Sequence, residues 1–555
     1  MDIGSISSTR GEPAWSRWLL PSIADFIFIG LLTALAFTNL SVRLLGDAGI
    51  GWHIRTGQLI LTTHAIPHTD PFSSSMAGRP WFAWEWLYDA IVGWLDWKAG
   101  LNGVVWFTAV VIAITFSWIF RLLTRRGTNL MVALVLVLLA VCASTIHVLA
   151  RPHVITWLFC VMWIWILDRF EHSRDTSSAR HSRNLLLLLP LSMLIWVNVH
   201  GGFLLGFALL AIYWLSAMWQ SLRNPGDRFG EFLEKLSARK RARNLAGVAF
   251  LSAAATFINP YGWKLHVHIY RYLSNRFLMD HIDEFQSPNF HGVAERCFAL
   301  LLLLTLLALA LDRETGKANR ATEMLLIVFA TYSGLYAVRN IPVASLLLIW
   351  VASPKLSHRL NRMTPSSVDA TTIARDPDAA PFLQRMHAID SSLRGHLWPI
   401  VAIAITGYSA FHGGELNGHS VMNAHFDAKR FPVAAVDYVK KNNVPGPIFS
   451  PDAWGGYLIY RLDPQIKVVI DDRHDFYGEP FVKSYLKTIH VEPEWQDFLV
   501  AEHPGCILVP KNSALASILL ETSEWQPVYV DETAILLAQS QSNYEHRAEL
   551  QVPSH

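Results

Sequence analysis

Charge is scarce in this sequence, and cysteine is scarcer. Asp, Glu, Lys and Arg make up 16% of the 555 residues, against 52% hydrophobic, and the mean hydropathy is +0.28. That is too little charge for an ordinary soluble globular protein, and the apolar runs repeatedly approach the ~20 residues that cross a bilayer. The four cysteines, Cys142, Cys160, Cys297 and Cys506, are too few and scattered for a disulfide framework, and no Cys-x-x-Cys or Cys/His spacing announces a metal site. A formal charge of +2, with Lys and Arg kept to loops, provides no basic face for nucleic acid. There is no P-loop, dinucleotide fingerprint, nucleophile elbow, zinc-protease motif or internal repeat. The N-terminus lacks a short apolar stretch ending in a small-residue cleavage site, so the first span reads as a retained anchor.

What is present is a polytopic α-helical membrane protein. Hydrophobic length and flanking charge place about eleven transmembrane helices, at roughly 18–41, 102–123, 128–150, 153–170, 184–199, 202–220, 244–259, 294–311, 322–339, 341–353 and 396–412. With a cytoplasmic N-terminus, the basic loops Arg125-Arg126, Arg169 to Arg183, Arg239 to Arg243, Arg313 to Arg320 and Lys355 to Arg394 all fall inside, as the positive-inside rule requires. The expected location is a bacterial inner (plasma) membrane. Residues 1–412 form the membrane domain, with a long outside loop at 46–100. In that loop Trp52 to Thr63 suits an amphipathic helix, and a second, Trp-dense helix begins near Trp81. Residues 413–555 form an extracytoplasmic α/β module. Its strands are read at 447–450, 457–460, 467–471, 506–509 and 533–537, and its helices at 431–442, 480–488, 493–501 and 513–521, with a turn at Trp454-Gly455-Gly456-Tyr457.

Sorted by side, the unusual polar residues are not random. Asp47, His53, Arg55, Asp70 and Glu85 lie in the first outside loop. Arg151-Pro152-His153 ends the third span, Asn198-Val199-His200-Gly201-Gly202 joins the fifth and sixth, Asn259-Pro260-Tyr261-Gly262 ends the seventh, Glu284 lies in the loop after it, and Arg339-Asn340 joins the ninth and tenth. All fall outside, and ionisable groups gathered at one membrane edge point to a polar site.

A first span with an acid at its outer end, a long first outside loop with two interfacial helices, about eleven spans and a C-terminal extracytoplasmic domain together resemble the GT-C superfamily of polyprenyl-phosphate-dependent membrane glycosyltransferases. The resemblance covers most of the membrane part in architecture and rests on Asp47 in motif. It implies transfer of a sugar from a polyprenyl-phosphate-linked donor to an extracytoplasmic glycan, lipid or protein acceptor, with Asp47 as general base. Two departures bear on a divalent cation, the one cofactor the resemblance leaves open: Asp47 has no neighbouring acid, and the junction of spans three and four reads Arg151-Pro152-His153.

The residues suit that chemistry. Sugar transfer from a lipid phosphate needs a base at the acceptor and donors on the leaving phosphate. Asp47 supplies the first, with Glu85 or Asp70 in reserve. Arg151, His153, His200 and Arg339 would hold phosphate, with His53 and Arg55 beside them, and Asn198 and Asn259 would meet sugar hydroxyls. Each has a plainer reading: Asp47 as a helix cap, Asp70-Pro71 as a turn, the Asn residues as helix-end hydrogen-bonding groups, and Asp471 to Asp475 as mutually paired charges rather than a sugar or cation site. A lipid-linked glycan flippase, or an inert membrane scaffold acting through its module, also accommodates the pattern.

Overall fold

The computed structural model describes residues 16–173, 176–222, 229–311, 320–363, 382–393 and 395–539; the charged stretches read at 313–319 and 364–381 lie outside them. Helices stand at all eleven expected positions, from Ile23–Phe37 and Trp86–Arg125 through Ile341–Met363 to Leu397–Phe411. Among the described residues seven helical stretches are long and apolar enough to cross a membrane, where the sequence reading expected about eleven. Of the other four, Ile23–Phe37, Arg320–Tyr336 and Leu397–Phe411 have 15, 17 and 15 residues, and Phe229–Ala255 is polar through its first half. Leu138, Leu191, Leu303, Leu306 and Val328 are among many large apolar side chains facing outward. In water such a surface would aggregate, whereas in lipid it is solvated. The chain is an integral membrane protein.

The first loop forms the expected helix, Ile50–Thr63, but the second begins only at Trp86. Residues 81–83 have no regular secondary structure, and the helix runs to Arg125 with a break at Gly100 (φ +59°). The cysteines are unpaired by disulfides, although the Cys142 and Cys297 sulfurs lie 2.9 Å apart.

Beyond Phe411 the chain forms a mixed four-stranded sheet. Ile448–Phe449 pairs in parallel with Cys506–Pro510, which pairs antiparallel with Ala534–Gln539, and Trp525–Val530 closes the far edge. The Trp525–Val530 strand is absent from the sequence reading. The stretch 457–460, expected as a strand, lies inside a helix, Asp452–Leu462, and so does the Gly455-Gly456 expected as a turn. These glycines serve close approach. A Cβ on Gly456 would stand 2.3 Å from the Ala48 carbonyl oxygen, and one on Gly51 would stand 2.1 Å from the Gly456 oxygen, so the two helices meet backbone against backbone. A second seam runs alongside: the Ser74 amide donates to the Val468 carbonyl at 2.9 Å and the Ser75 hydroxyl to the Val469 carbonyl at 2.6 Å. The module is thereby fastened to the first loop rather than hung from the last span.

Candidate functional site

The fastening closes one side of a cavity of about 1420 Å³ at the helix ends, roofed by the module. Seven of the ten residues singled out from the sequence line it: Asp47, His53, Glu85, Arg151, His153, His200 and Arg339. The other three turn elsewhere. Arg55 donates to Gln58 and to the Asp463 carbonyl, pinning helix to module. Asn198 accepts from the Trp86 indole and donates to the Leu194 and Ile258 carbonyls. Asn259 closes its own turn onto Thr256, Tyr261 and Gly262. With their hydrogen-bonding capacity used in the scaffold, none of the three lines the cavity. Asp70 likewise is spent on the Phe72 and Ser73 amides and on Arg473.

The centre of the site is a cation between two acids. Arg151 Nε lies 3.5 Å from Asp47 Oδ2, and its Nη1 lies 3.1 Å from Asp472 Oδ2. Asp472 also accepts from the Trp52 indole at 3.0 Å, and Asp47 Oδ1 accepts from the Gly49 amide at 2.8 Å. The helix-cap role considered for Asp47 is not what the structure shows, since Gly49 stands at the N-cap; Asp47 instead closes the turn before the helix, which leaves its second oxygen directed at Arg151. Burial disfavours the charged form of Arg151, but Asp47 and then Asp472 more than offset it, whereas burial pushes the Asp472 carboxyl up to about 6 against the pull of Arg151. Gly49 makes room for the arrangement: a Cβ there would fall 1.7 Å from Arg151 Nη1 and 2.4 Å from Asp472 Oδ2.

Around Glu85 the cavity is lined by neutral groups. Glu85 lies 3.7 Å from His53 Nε2 and 3.8 Å from His200 Nε2. Burial raises its carboxyl to about 8, so at neutral pH the protonated form, a hydrogen-bond donor, is favoured. Burial, followed by the field of Arg339, lowers His200 to about 3. Its Nδ1 faces the Thr156 hydroxyl at 2.9 Å and accepts from the Gly202 amide at 3.1 Å, which assigns the ring proton to Nε2, toward the cavity. Burial and then Arg151 likewise hold His53 well below its ordinary range, and its Nδ1 sits 2.6 Å from Asp89 Oδ1.

Glu85 supplies a pH-dependent prediction. A raised carboxyl gives its full stability below its ordinary value of 4.5 and loses it as pH climbs toward 8. Glu85→Gln keeps the shape without titrating. Its melting temperature in detergent should therefore gain on the wild type's from pH 4.5 to pH 8 and level off above; a constant difference would mean that Glu85 does not hold its proton.

A second cation, Arg339, pairs through Nη1 with Glu284 Oε1 at 3.1 Å, while Glu284 Oε2 lies 3.3 Å from His147 Nε2. Burial opposes ionisation of Glu284, but Arg339 and then His147 hold it well below the usual carboxylate range. His474 meets Asp452 at 2.6 Å and Asp475 meets His268 at 2.9 Å, so the 471–475 segment is paired, though only partly with itself: Arg473 takes Asp471 and Asp70. Sequence reasoning missed His147 and Asp89. Asp89 had a signal, one helical turn after Glu85, while nothing local distinguishes His147.

A divalent cation, as the resemblance leaves open, would need carboxylates free to converge. Asp47 and Asp472, the facing acids, already have Arg151 between them, and among the described residues no group of three or more His, Cys, Asp or Glu side chains is arranged to hold a metal. The residues present do not fit one.

No family model matches the sequence, and no curated protein matches it. Solved structures do. An oligosaccharyltransferase from Archaeoglobus fulgidus, tethered to an acceptor peptide containing the NVT sequon, superposes with a TM-score of 0.52 at 12% identity over 96% of this chain and 74% of that one. The archaeal oligosaccharyltransferase AglB from the same organism, in complex with an inhibitory peptide and a dolichol-phosphate, gives 0.51 at 12% identity over 97% and 75%. At that identity the likeness is one of fold alone: the chain shares the fold of these two oligosaccharyltransferases.

Proposed function

We propose that the protein is a membrane glycosyltransferase that moves a sugar from a polyprenyl-phosphate-linked donor to an extracytoplasmic acceptor, with Asp47 as the general base. The observation that carries this reading is the Asp47–Arg151–Asp472 cluster on the wall of a large cavity at the membrane edge of a GT-C fold. Asp47 takes the proton of the acceptor as it attacks the anomeric carbon, the bond from that carbon to the phosphate oxygen breaks, and the lipid phosphate leaves with the electron pair. Arg151 orients the Asp47 carboxylate, and Arg339 and the His200 Nε2–H offer donors to the phosphate. Glu85, protonated at neutral pH, serves as a hydrogen-bond donor rather than a base. An alternating-access flippase would place its polar groups at mid-membrane and toward both faces, whereas here they gather at one end of the helices around one large cavity, which favours transfer over transport.

The test is a structure of the protein in nanodiscs with an undecaprenyl-phosphate-linked sugar. Lipid-phosphate density within hydrogen-bond reach of Arg339 or Arg151, with the sugar facing Asp47, is the expected result. A cavity left empty at saturating lipid would overturn the reading.

A further inference from the structure

The cavity is polar on the Asp47 side and apolar on the other. Leu204, Leu205 and Ala208 on one helix, Phe329 on a second and Val343 on a third form a lane continuous with the same cavity, running about 6 Å down the first of these helices from Leu204 to Ala208. Leu204 and Tyr336, which both line the cavity, are 42% and 54% exposed, so the lane presents accessible apolar surface at its mouth. Arg339 stands at its head. Its guanidinium lies 4.5 Å from the Phe285 ring centroid, and it is already occupied by an oxyanion, the Glu284 carboxylate, whose second oxygen faces His147. One anion held by an Arg and a His above an apolar lane is the arrangement that a phosphate on a prenyl chain would need.

Resting on the function proposed above, we propose that Glu284 occupies the place of the donor phosphate on Arg339 and His147 until the lipid arrives, when the phosphate displaces the carboxylate and the prenyl tail fills the lane beneath. Little backbone movement is required. The turn Asp283–Phe285 that carries Glu284 is pinned by the Val338 amide, which donates to the Gln286 carbonyl at 2.9 Å, so a swing of the Glu284 side chain suffices. The exchange keeps the half-buried guanidinium paired at every stage, since an Arg left without an anion there would lose a favourable partner, and it makes occupancy depend on the phosphate rather than the tail.

The probe is undecaprenyl phosphate, with undecaprenol as the control, titrated against the full-length protein in nanodiscs. Glu284→Gln, which removes the competing charge, should tighten undecaprenyl phosphate binding about tenfold and leave undecaprenol unchanged. Arg339→Gln should weaken phosphate binding at least tenfold, and the gain from Glu284→Gln should vanish in that background. Ala208→Trp, which leaves the Arg339–Glu284 pair alone, should block the lane and abolish binding, so that the proposal stays testable if Glu284→Gln does not fold. Binding that Glu284→Gln leaves equal or weaker, or that survives Ala208→Trp, overturns the exchange while leaving the glycosyltransferase reading standing. Failure of the wild type and every variant to bind the phosphate overturns both.

Discussion

Replacing Asp47 with Asn should reduce sugar transfer by roughly 10²–10⁴-fold, the usual contribution of a positioned general base, while lipid-phosphate binding stays within about twofold. The substitution is mild for the fold. An amide oxygen still accepts from the Gly49 N–H, and Arg151 keeps Asp472 as its anion, so no buried charge is orphaned. The deficit should therefore appear in turnover, with the melting temperature nearly unchanged. Glu85 is disfavoured as a substitute at neutral pH, because burial favours its protonated form. Near-normal turnover in Asp47→Asn would remove Asp47 from the chemistry and leave it the plain role of tying down the Gly49 turn.

Arg151→Met should be the most damaging single change to the site's stability. The guanidinium is the one cation that Asp47 and Asp472 share in the structure, and its loss leaves two carboxylates facing one another beside a buried wall. Breaking a fully buried pair in this way costs about 3–5 kcal/mol, and this half-buried one should lose part of that, still more than the methionine regains in apolar contact. The pH dependence has a definite sign. Asp472 is already raised to about 6 by burial with Arg151 in place, and removing the cation raises it further. A raised carboxyl favours the folded state while protonated and loses that stability as pH climbs through its folded value. Arg151→Met should thus recover melting temperature as pH falls from 7 toward 5, more steeply than the wild type. A variant equally unstable across that range would mean that the residue is held for packing alone. The double variant Arg151→Met with Asp472→Asn should regain part of the loss, since only one carboxylate then remains.

The membrane helices were legible because the signal that places them, apolar length, is also the property the bilayer selects. Asp47, Glu85, Arg151, His153, His200 and Arg339 were legible for a related reason: a polar side chain at a span end is costly to keep unless it meets another polar group, and all six line the cavity. Arg55, Asn198 and Asn259 carried the same signal and were spent on the scaffold, because a sequence shows that a group can form hydrogen bonds but not with what. The misreading of Gly455-Gly456 has a sharper cause. Glycine marks both turns and close contacts, and only the opposing surface, here Ala48 to Gly51, tells them apart. Asp472 was visible only as one member of a charged run, because its partner Arg151 stands 321 residues away.

The backbone contact between Gly51 and Gly456 bears on how such proteins can diverge. A seam of this kind has no side chains to trim, so neither half tolerates drift alone. The segment that carries Asp47 and the segment that carries Asp472 must be inherited, or recombined in the laboratory, as one piece. Grafting the module of one such protein onto the membrane domain of another should fail unless the first loop travels with it, and the functional unit of exchange is a pair of stretches that the gene keeps some 400 codons apart.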